Sequence, residues 1–284
     1  MTKRIAWVID STTHLSNKLK NHPDIFSVPL NVHFGDEQFA DGIDLTSEQL
    51  YNKINNAKEI PKTSQPSAGQ FAAMYKEIAK NYDEAIAIHL SDQLSGTLSS
   101  SKSGAEITGF PVTFIDSLSL SYGTTALVEH GIDLYESGAT VETIQQTLTE
   151  MAGTIQNYIL IGSLEQLYKG GRVSGMQFFL GNLLKIKLII QASPEGKLVP
   201  IDKIRSEKRA IQYLLTKMED AYANRVRKFF IMQGNILEKA RHLEQLMKEK
   251  MPEAEVEIGE IGSVLAVHAG EGTLAVLWGH PETK

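Results

Sequence analysis

The segment Leu90–Thr97, LSDQLSGT, gathers hydroxyl, amide and carboxylate side chains directly behind Ala85–Ile88, AIAI, which reads as the middle of a buried strand. Three other segments share its character: Asp10-Ser11-Thr12-Thr13, the loop Lys62-Thr63-Ser64-Gln65-Pro66-Ser67, and Asp116-Ser117-Leu118-Ser119-Leu120-Ser121. All but the loop follow an apolar run at once. Hydroxyls donate hydrogen bonds while carrying no charge, so a rim built from them suits a small anion such as a carboxylate or a phosphate. Ser and Thr are also the residues that cap helix N-termini, so each cluster has a purely structural use as well. If the runs before them lie in one parallel sheet, the clusters stand along its carboxyl edge, and all four are expected to face one crevice.

Other chemistry is poorly represented. There is no G-x-S-x-G elbow and no S-x-x-K with its companion motifs, which argues against a serine hydrolase. A Walker A pattern is missing, and the G-x-G-x-x-A match at Gly270–Ala275 lies between extended segments instead of opening a helix. No two of the eight His residues stand at metal-binding spacing on one helix, so no zinc site is expected.

Two stretches remain as candidates. In SVLAVHAGEGTLAVLWG (263–279), His268 is expected between an apolar extended run and a turn whose Gly270 and Gly272 permit close backbone approach. It reads either as a core histidine bonded to a carbonyl or as a donor beside a bound anion. In SLEQLYKGGRVSGMQFFLGNLLKIKLII (163–190), Lys169 and Arg172 flank a Gly pair ahead of an apolar stretch, which forms either a buried helix or the wall of an apolar tunnel.

The elements that must position these residues alternate along the first half. RIAWVID (4–10), EAIAIHL (84–90) and VTFID (112–116) are continuous apolar runs, as expected of strands covered on both faces of a parallel sheet. Helical patterns separate them, with a capping box predicted at Thr46 and Gln49, a start at Ser67, and a break at Gly138 and Thr140 between two helices. Residues 25–42 alternate around Gly-Asp-Glu-Gln and predict a β-hairpin. Past Tyr158 the rhythm changes: strands are predicted at 159–163, 188–201 with a Glu-Gly turn inside, 227–233, 254–262 and 273–279, and helices at 206–223 and 235–250. The fold class is therefore α/β in two domains, a Rossmann-like N-terminal parallel sheet with helices on both faces (1–155) and a C-terminal mixed or antiparallel sheet with helices (156–284).

Composition sets outer bounds. The chain has 284 residues, enough for two domains. With 28 Lys and Arg against 34 Asp and Glu, the net charge of -6 gives no global surface for nucleic acid. The lack of cysteine excludes disulfides and thiolate chemistry and fits a reducing compartment. Only IAWVI follows Lys3 and Arg4 before Asp10, too short for a signal peptide, so a cytoplasmic location is expected.

Taken together, several segments resemble the DegV family, the fatty-acid-binding subunits of bacterial fatty acid kinase. They are DST at 10–12, PLNVHFGDEQFADG at 29–42, TSQPSAGQF at 63–71, LSGTLSS at 94–100, DSLSLSYG at 116–123, LEQLYKGGRVS at 164–174, LGNLLKIK at 180–187 and HAGEGT at 268–273. They occur in family order across nearly the whole chain. The resemblance implies a DegV-like two-domain protein holding one long-chain fatty acid in a tunnel between its domains, without cofactor, metal or catalysis of its own. It implies that Thr63, Ser95 and His268 bind the carboxylate, with Ser64, Gly96 and Thr97 in the adjoining head-group loops. Arg172 and Arg205 resemble the basic positions near the head group and the kinase contact. The implied partner is a separate ATP-dependent kinase related to dihydroxyacetone kinases, which makes the acyl phosphate; transient contact with a membrane surface is a further expectation. The chain departs from the family pattern at Ala68 and Leu188, where Pro is common, and at Ala269 and Glu271, where HTGPG becomes HAGEG. Glu271 is expected to place a carboxylate near the head group. An enzyme acting on a small carboxylated or phosphorylated metabolite, and a lipid-sensing regulator, are the alternative readings.

Overall fold

The computed structural model describes residues 3–57, 59–173 and 186–279. Its elements run β1 (Ile5–Asp10), β2 (Ile25–Val28), β3 (Asn31–Phe34), β4 (Glu37–Ala40), α1 (Ser47–Asn56), β5 (Lys62–Ser64), α2 (Ala68–Ile78), β6 (Glu84–His89), α3 (Thr97–Thr108), β7 (Val112–Asp116), α4 (Tyr122–Glu136) and α5 (Val141–Ala152). They continue with β8 (Gln156–Leu160), α6 (Leu164–Gly170), β9 (Lys187–Ala192), β10 (Leu198–Ile204), α7 (Glu207–Ala223), β11 (Lys228–Gln233), α8 (Leu237–Lys250), β12 (Glu255–Glu260), α9 (Ser263–Ala269) and β13 (Leu274–Trp278). The segment at 174–185, expected from sequence as helix or tunnel wall, lies outside the described residues.

The first sheet has the order β2-β1-β6-β7 with every pairing parallel. Its apolar runs are continuous because both faces are covered. Ala6, Val8, Ala85 and Ala87 point to α2 and α3, which return Phe71, Tyr75, Ile78 and Ala105. Trp7, Ile9, Ile86 and Ile88 point to α4 and α5, which return Leu127, Val128, Ile132, Ile144 and Leu148. The smaller residues lie on the face where two helices pack closest, and Gly104 of α3 allows that approach, since a Cβ there would overlap the Phe71 side chain.

The second sheet is mixed, in the order β10-β9-β8-β13-β11-β12, with only β11 and β12 parallel. Edge strand β10 carries Pro200 and a register shift between Pro200 and Asp202, both tolerated where no further strand must be paired. One face of this sheet packs against α7 and α8 through Leu160, Ile189, Phe229, Ile231, Leu274 and Val276. Its other face turns toward the first half of the chain.

The predicted hairpin divides. Its turn is real, joining β3 and β4 across Gly35 and Asp36, but Ile25–Val28 pairs parallel with β1 and extends the first sheet. β3 also pairs with β5, which places Thr63 and Ser64 beside Val32 and Asn31 in a small separate sheet. The capping box predicted at Thr46 and Gln49 forms, and Ser67 opens α2 as expected, with a capping box of its own through Gln70. Strand β8 starts three residues earlier than predicted, because Gln156 and Asn157 pair with Trp278 and Leu277.

Candidate functional site

Between the two sheets lies a cavity of about 490 Å³, within the range that holds organic ligands. Its floor is the inner face of the second sheet: Ile159 and Ile161 on and after β8, Ile190 on β9, Leu198 on β10, Met232 on β11, and Ala275 and Leu277 on β13. Leu30, Leu90, Leu94, Leu120, Val264 and Leu265 close it from the other side. Polar groups also line it, contributed by Thr63, Ser64, Gln65, Asp92, Gln93, Ser95, Gly96, Ser121, Arg172, His268 and Thr273. An apolar interior with a convergent polar group is the arrangement that accepts an amphipathic molecule.

Thr63 and His268 meet although 205 residues separate them: Thr63 Oγ1 and His268 Nε2 share a hydrogen bond of 2.8 Å. β5 carries the threonine, held by β3, while the histidine sits in the last turn of α9. The other ring nitrogen, His268 Nδ1, is buried without a hydrogen-bond partner. Gly170 lies against it, and a Cβ at that position would overlap the ring nitrogen. Burial, aided by the positive charge of Arg172, holds the His268 imidazole down to about 4. The ring is therefore neutral near pH 7, and a bound anion would raise its proton affinity.

The expectation that His268 follows an extended run is corrected, since Ser263–Ala269 is a short helix. Its N-cap is Gly262, which has no side chain with which to cap. The cap comes from far away: Asp41 Oδ1 accepts the Ser263 N–H at 3.1 Å while Ser11 Oγ donates to Asp41 Oδ2 at 2.8 Å. Asp41, at the end of the β3–β4 hairpin, thus positions the helix that carries His268. Burial raises its carboxyl above the ordinary range, opposed by these hydrogen bonds.

Ser95, Gly96 and Thr97 open α3. Ser95 Oγ and Thr97 Oγ1 are 2.8 Å apart, and the Gly96 N-cap offers no side chain to the first-turn N–H groups. Gln65 reaches this turn from the loop after β5, its Oε1 accepting the Gly96 N–H at 3.1 Å and its Nε2 donating to Ser100 Oγ at 3.2 Å. Ser95 and Gly96 line the cavity, whereas the Thr97 side chain is fully buried behind them. Ser64 lines it too and bonds His33 Nε2 at 2.8 Å. Arg172 is exposed at the rim, with Nη1 donating to the Gly170 carbonyl at 2.5 Å. Arg205 stands apart from the cavity, in a surface groove with Asp202, Arg209, Tyr213 and Lys217.

The four hydroxyl clusters do not all reach the crevice. Asp10, Thr12 and Thr13 are buried, and Ser11 is spent on Asp41 and on the Leu30 N–H. Asp10 instead anchors a chain of internal bonds. Its Oδ1 accepts from Thr12 N and Oγ1, and its Oδ2 accepts from Leu90 N at 2.9 Å and lies 3.3 Å from His89 Nδ1. His89 Nε2 reaches Ser101 Oγ at 2.9 Å, and Ser101 Oγ meets Tyr75 Oη at 2.6 Å. The residue types are those of a hydrolytic triad, but Asp10, His89, Ser101 and Tyr75 are all 0% exposed, so the group cross-links β1, β6, α3 and α2 and meets no substrate. In the 116–121 cluster Ser117 and Ser119 are buried away from the cavity, and Ser121 is the hydroxyl that reaches it, at a positive φ of 54° that a non-glycine residue rarely adopts.

Sequence reasoning placed Gln65, Asp92 and Ser121 in clusters expected to face the crevice without singling them out as site residues, and it missed Thr273. The expectation for Glu271 is also corrected: its carboxylate accepts from Asn55 Nδ2 at 3.3 Å and from Asn235 Nδ2 at 2.5 Å and lies outside the cavity lining. Both asparagines come from outside its own turn, which the local sequence does not reveal. Among the described residues no cluster of His, Asp and Glu could hold a metal ion, and no helix is long and apolar enough to cross a membrane.

The depressed His268 has a measurable consequence. The unfolded chain takes a proton near pH 6.5 and the folded one only near 4, so the neutral ring's contribution is complete above pH 6.5 and is lost as pH falls toward 4. The expected loss in unfolding free energy is at most about 3 kcal/mol across that window. His268→Gln should flatten the profile there, and a ring resonance in the ligand-free protein titrating near 6.5 would contradict the assignment.

Fold and site together define a two-domain α/β protein that encloses an apolar cavity lined at one region by hydroxyls, a neutral histidine and an arginine. The chain belongs to the DegV family, whose model matches residues 4–280. A DegV domain-containing protein of Staphylococcus aureus is 32% identical over 98% of this chain and 99% of its own length. The crystal structure of DegV from Bacillus subtilis, described as a fatty acid binding protein, is 30% identical and covers 98% of this chain and 99% of that one with a TM-score of 0.88. A fatty acid binding DegV family protein from Streptococcus agalactiae reaches a TM-score of 0.91 at 26% identity, over 99% of this chain and 100% of that one.

Proposed function

We propose that this chain binds one long-chain fatty acid with its tail in the cavity and its carboxylate at Thr63, Ser95 and His268, and presents that carboxylate to a separate ATP-dependent kinase. The observation that carries this reading is the Thr63–His268 hydrogen bond at the edge of an apolar cavity, in a family whose solved relatives are described as fatty acid binding. About fifteen methylenes at about 0.8 kcal/mol each give an upper bound near 12 kcal/mol from tail burial, before association and ordering costs. Affinity then needs no covalent bond. The head group needs donors instead, because a carboxylate stripped of water without partners is strongly unfavourable.

Ser64 and Gly96 would line the head-group region beside those donors, Thr97 would support Ser95 from behind, and Arg172 would add a positive charge at the rim. The Thr63–His268 contact lacks the third group that would orient the histidine as a base, since His268 Nδ1 has no hydrogen-bond partner, and the Asp10-His89-Ser101 chain is sealed away. Catalysis therefore belongs to the partner, a kinase of the dihydroxyacetone kinase type, and the exposed Arg205 is the proposed contact for it. A cytoplasmic setting follows from a partner that uses ATP.

The test is chemical. Protein isolated from a bacterial host is expected to carry one fatty acid per chain by native mass spectrometry, and the kinase with ATP should convert that acid to acyl phosphate only when this chain is present. A chain that emerges empty and takes up no added acid would rule the reading out.

A further inference from the structure

We propose that Ala275 sets which acyl tails the cavity accepts, by leaving a trough down the middle of its floor. The inference rests on the fatty-acid reading and adds the residue that shapes its selectivity. The register of the second sheet places four cavity-lining side chains in one row: Ile190 lies opposite Ile159, Ile159 opposite Ala275, and Ala275 opposite Met232. Directly opposed residues point to the same face with Cβ atoms about 5 Å apart, so these four stand shoulder to shoulder. Three of them are long. Ala275 contributes one methyl, and the floor dips along β13.

The dip has a direction. Thr273, Ala275 and Leu277 alternate onto the cavity face, while Leu274, Val276 and Trp278 face α7 and α8. Thr273 marks the head-group end, because its Oγ1 donates at 2.8 Å to the carbonyl of Ala269, the residue after His268. Leu277 marks the other end, paired with Asn157 on one side and Phe230 on the other, both buried. Two strand steps of about 7 Å each separate Thr273 from Leu277. A tail leaving His268 along this line crosses Ala275 halfway, where a larger side chain stands in its path.

The experiment compares wild type, Ala275→Val and Ala275→Leu, each stripped of lipid and checked for an intact melting transition, in titrations with hexanoate, dodecanoate and octadecanoate. Ala275→Leu is expected to weaken dodecanoate and octadecanoate by about tenfold or more while hexanoate, whose tail ends before Ala275, changes by less than about threefold, with Ala275→Val between them. The valine variant keeps the comparison if leucine prevents folding. Wild-type binding with the same length profile in the folded variants, or equal losses at every length, overturns the trough alone. Wild type that takes up none of the three acids overturns the fatty-acid reading and the trough with it.

Discussion

His89→Leu is expected to lower the unfolding free energy of the chain by about 3–5 kcal/mol, the cost of leaving one member of a buried charged network without its partner. Asp10 is 0% exposed and its carboxyl is nevertheless held below the ordinary range, because hydrogen bonds from His89, Thr12 and Leu90 and the attraction of His89 outweigh a large desolvation effect. Removing the imidazole leaves that buried carboxylate with Thr12 and Leu90 but without the attraction of His89, and frees Ser101 from one of its two partners. A loss of that size is a large fraction of the 5–15 kcal/mol typical of folded proteins. Denaturant unfolding of wild type, His89→Leu, Asp10→Asn and the double variant measures it as a cycle. The double variant should cost clearly less than the sum of the singles; additive losses would show that the two residues are not coupled.

That network explains why part of the sequence reading went astray at Asp10-Ser11-Thr12-Thr13. A polar cluster behind a buried strand looks the same whether it faces a ligand or folds back on itself. Only the position of His89, 79 residues on and one strand over in the sheet, decides between them. The strands of the first sheet were legible because burial on both faces imposes a continuous apolar run, and the helices because Thr46, Ser67 and Thr140 cap them locally. α9 was not legible for the complementary reason: its N-terminal N–H is received by Asp41, 222 residues away in sequence, and Val-Leu-Ala-Val alone favours a strand. The same distance effect hid the turn of Glu271 toward Asn55 and Asn235. The pairing of Thr63 with His268 lay within reach only through resemblance, since no local pattern links β5 to α9.

Thr63→Val is expected to weaken fatty-acid binding by about 10- to 150-fold, the equivalent of the 1.5–3 kcal/mol that a hydrogen bond to a charged group contributes. The substitution preserves shape, which keeps β5 paired with β3 and leaves the cavity wall in place. What it removes is the hydroxyl bonded to His268 Nε2, so on the proposed binding mode the anion loses one donor and the imidazole loses its orienting partner. A purely structural role predicts something different: ligand-free stability would then fall by as much as the binding free energy. The two are separated by measuring the melting temperature of lipid-free protein alongside the dissociation constant. His268→Gln supplies the second leg, because if both groups act on the same carboxylate the double variant should bind little worse than either single one. Independent, multiplicative losses would mean that Thr63 and His268 serve different parts of the ligand, and the shared hydrogen bond would then be incidental to recognition.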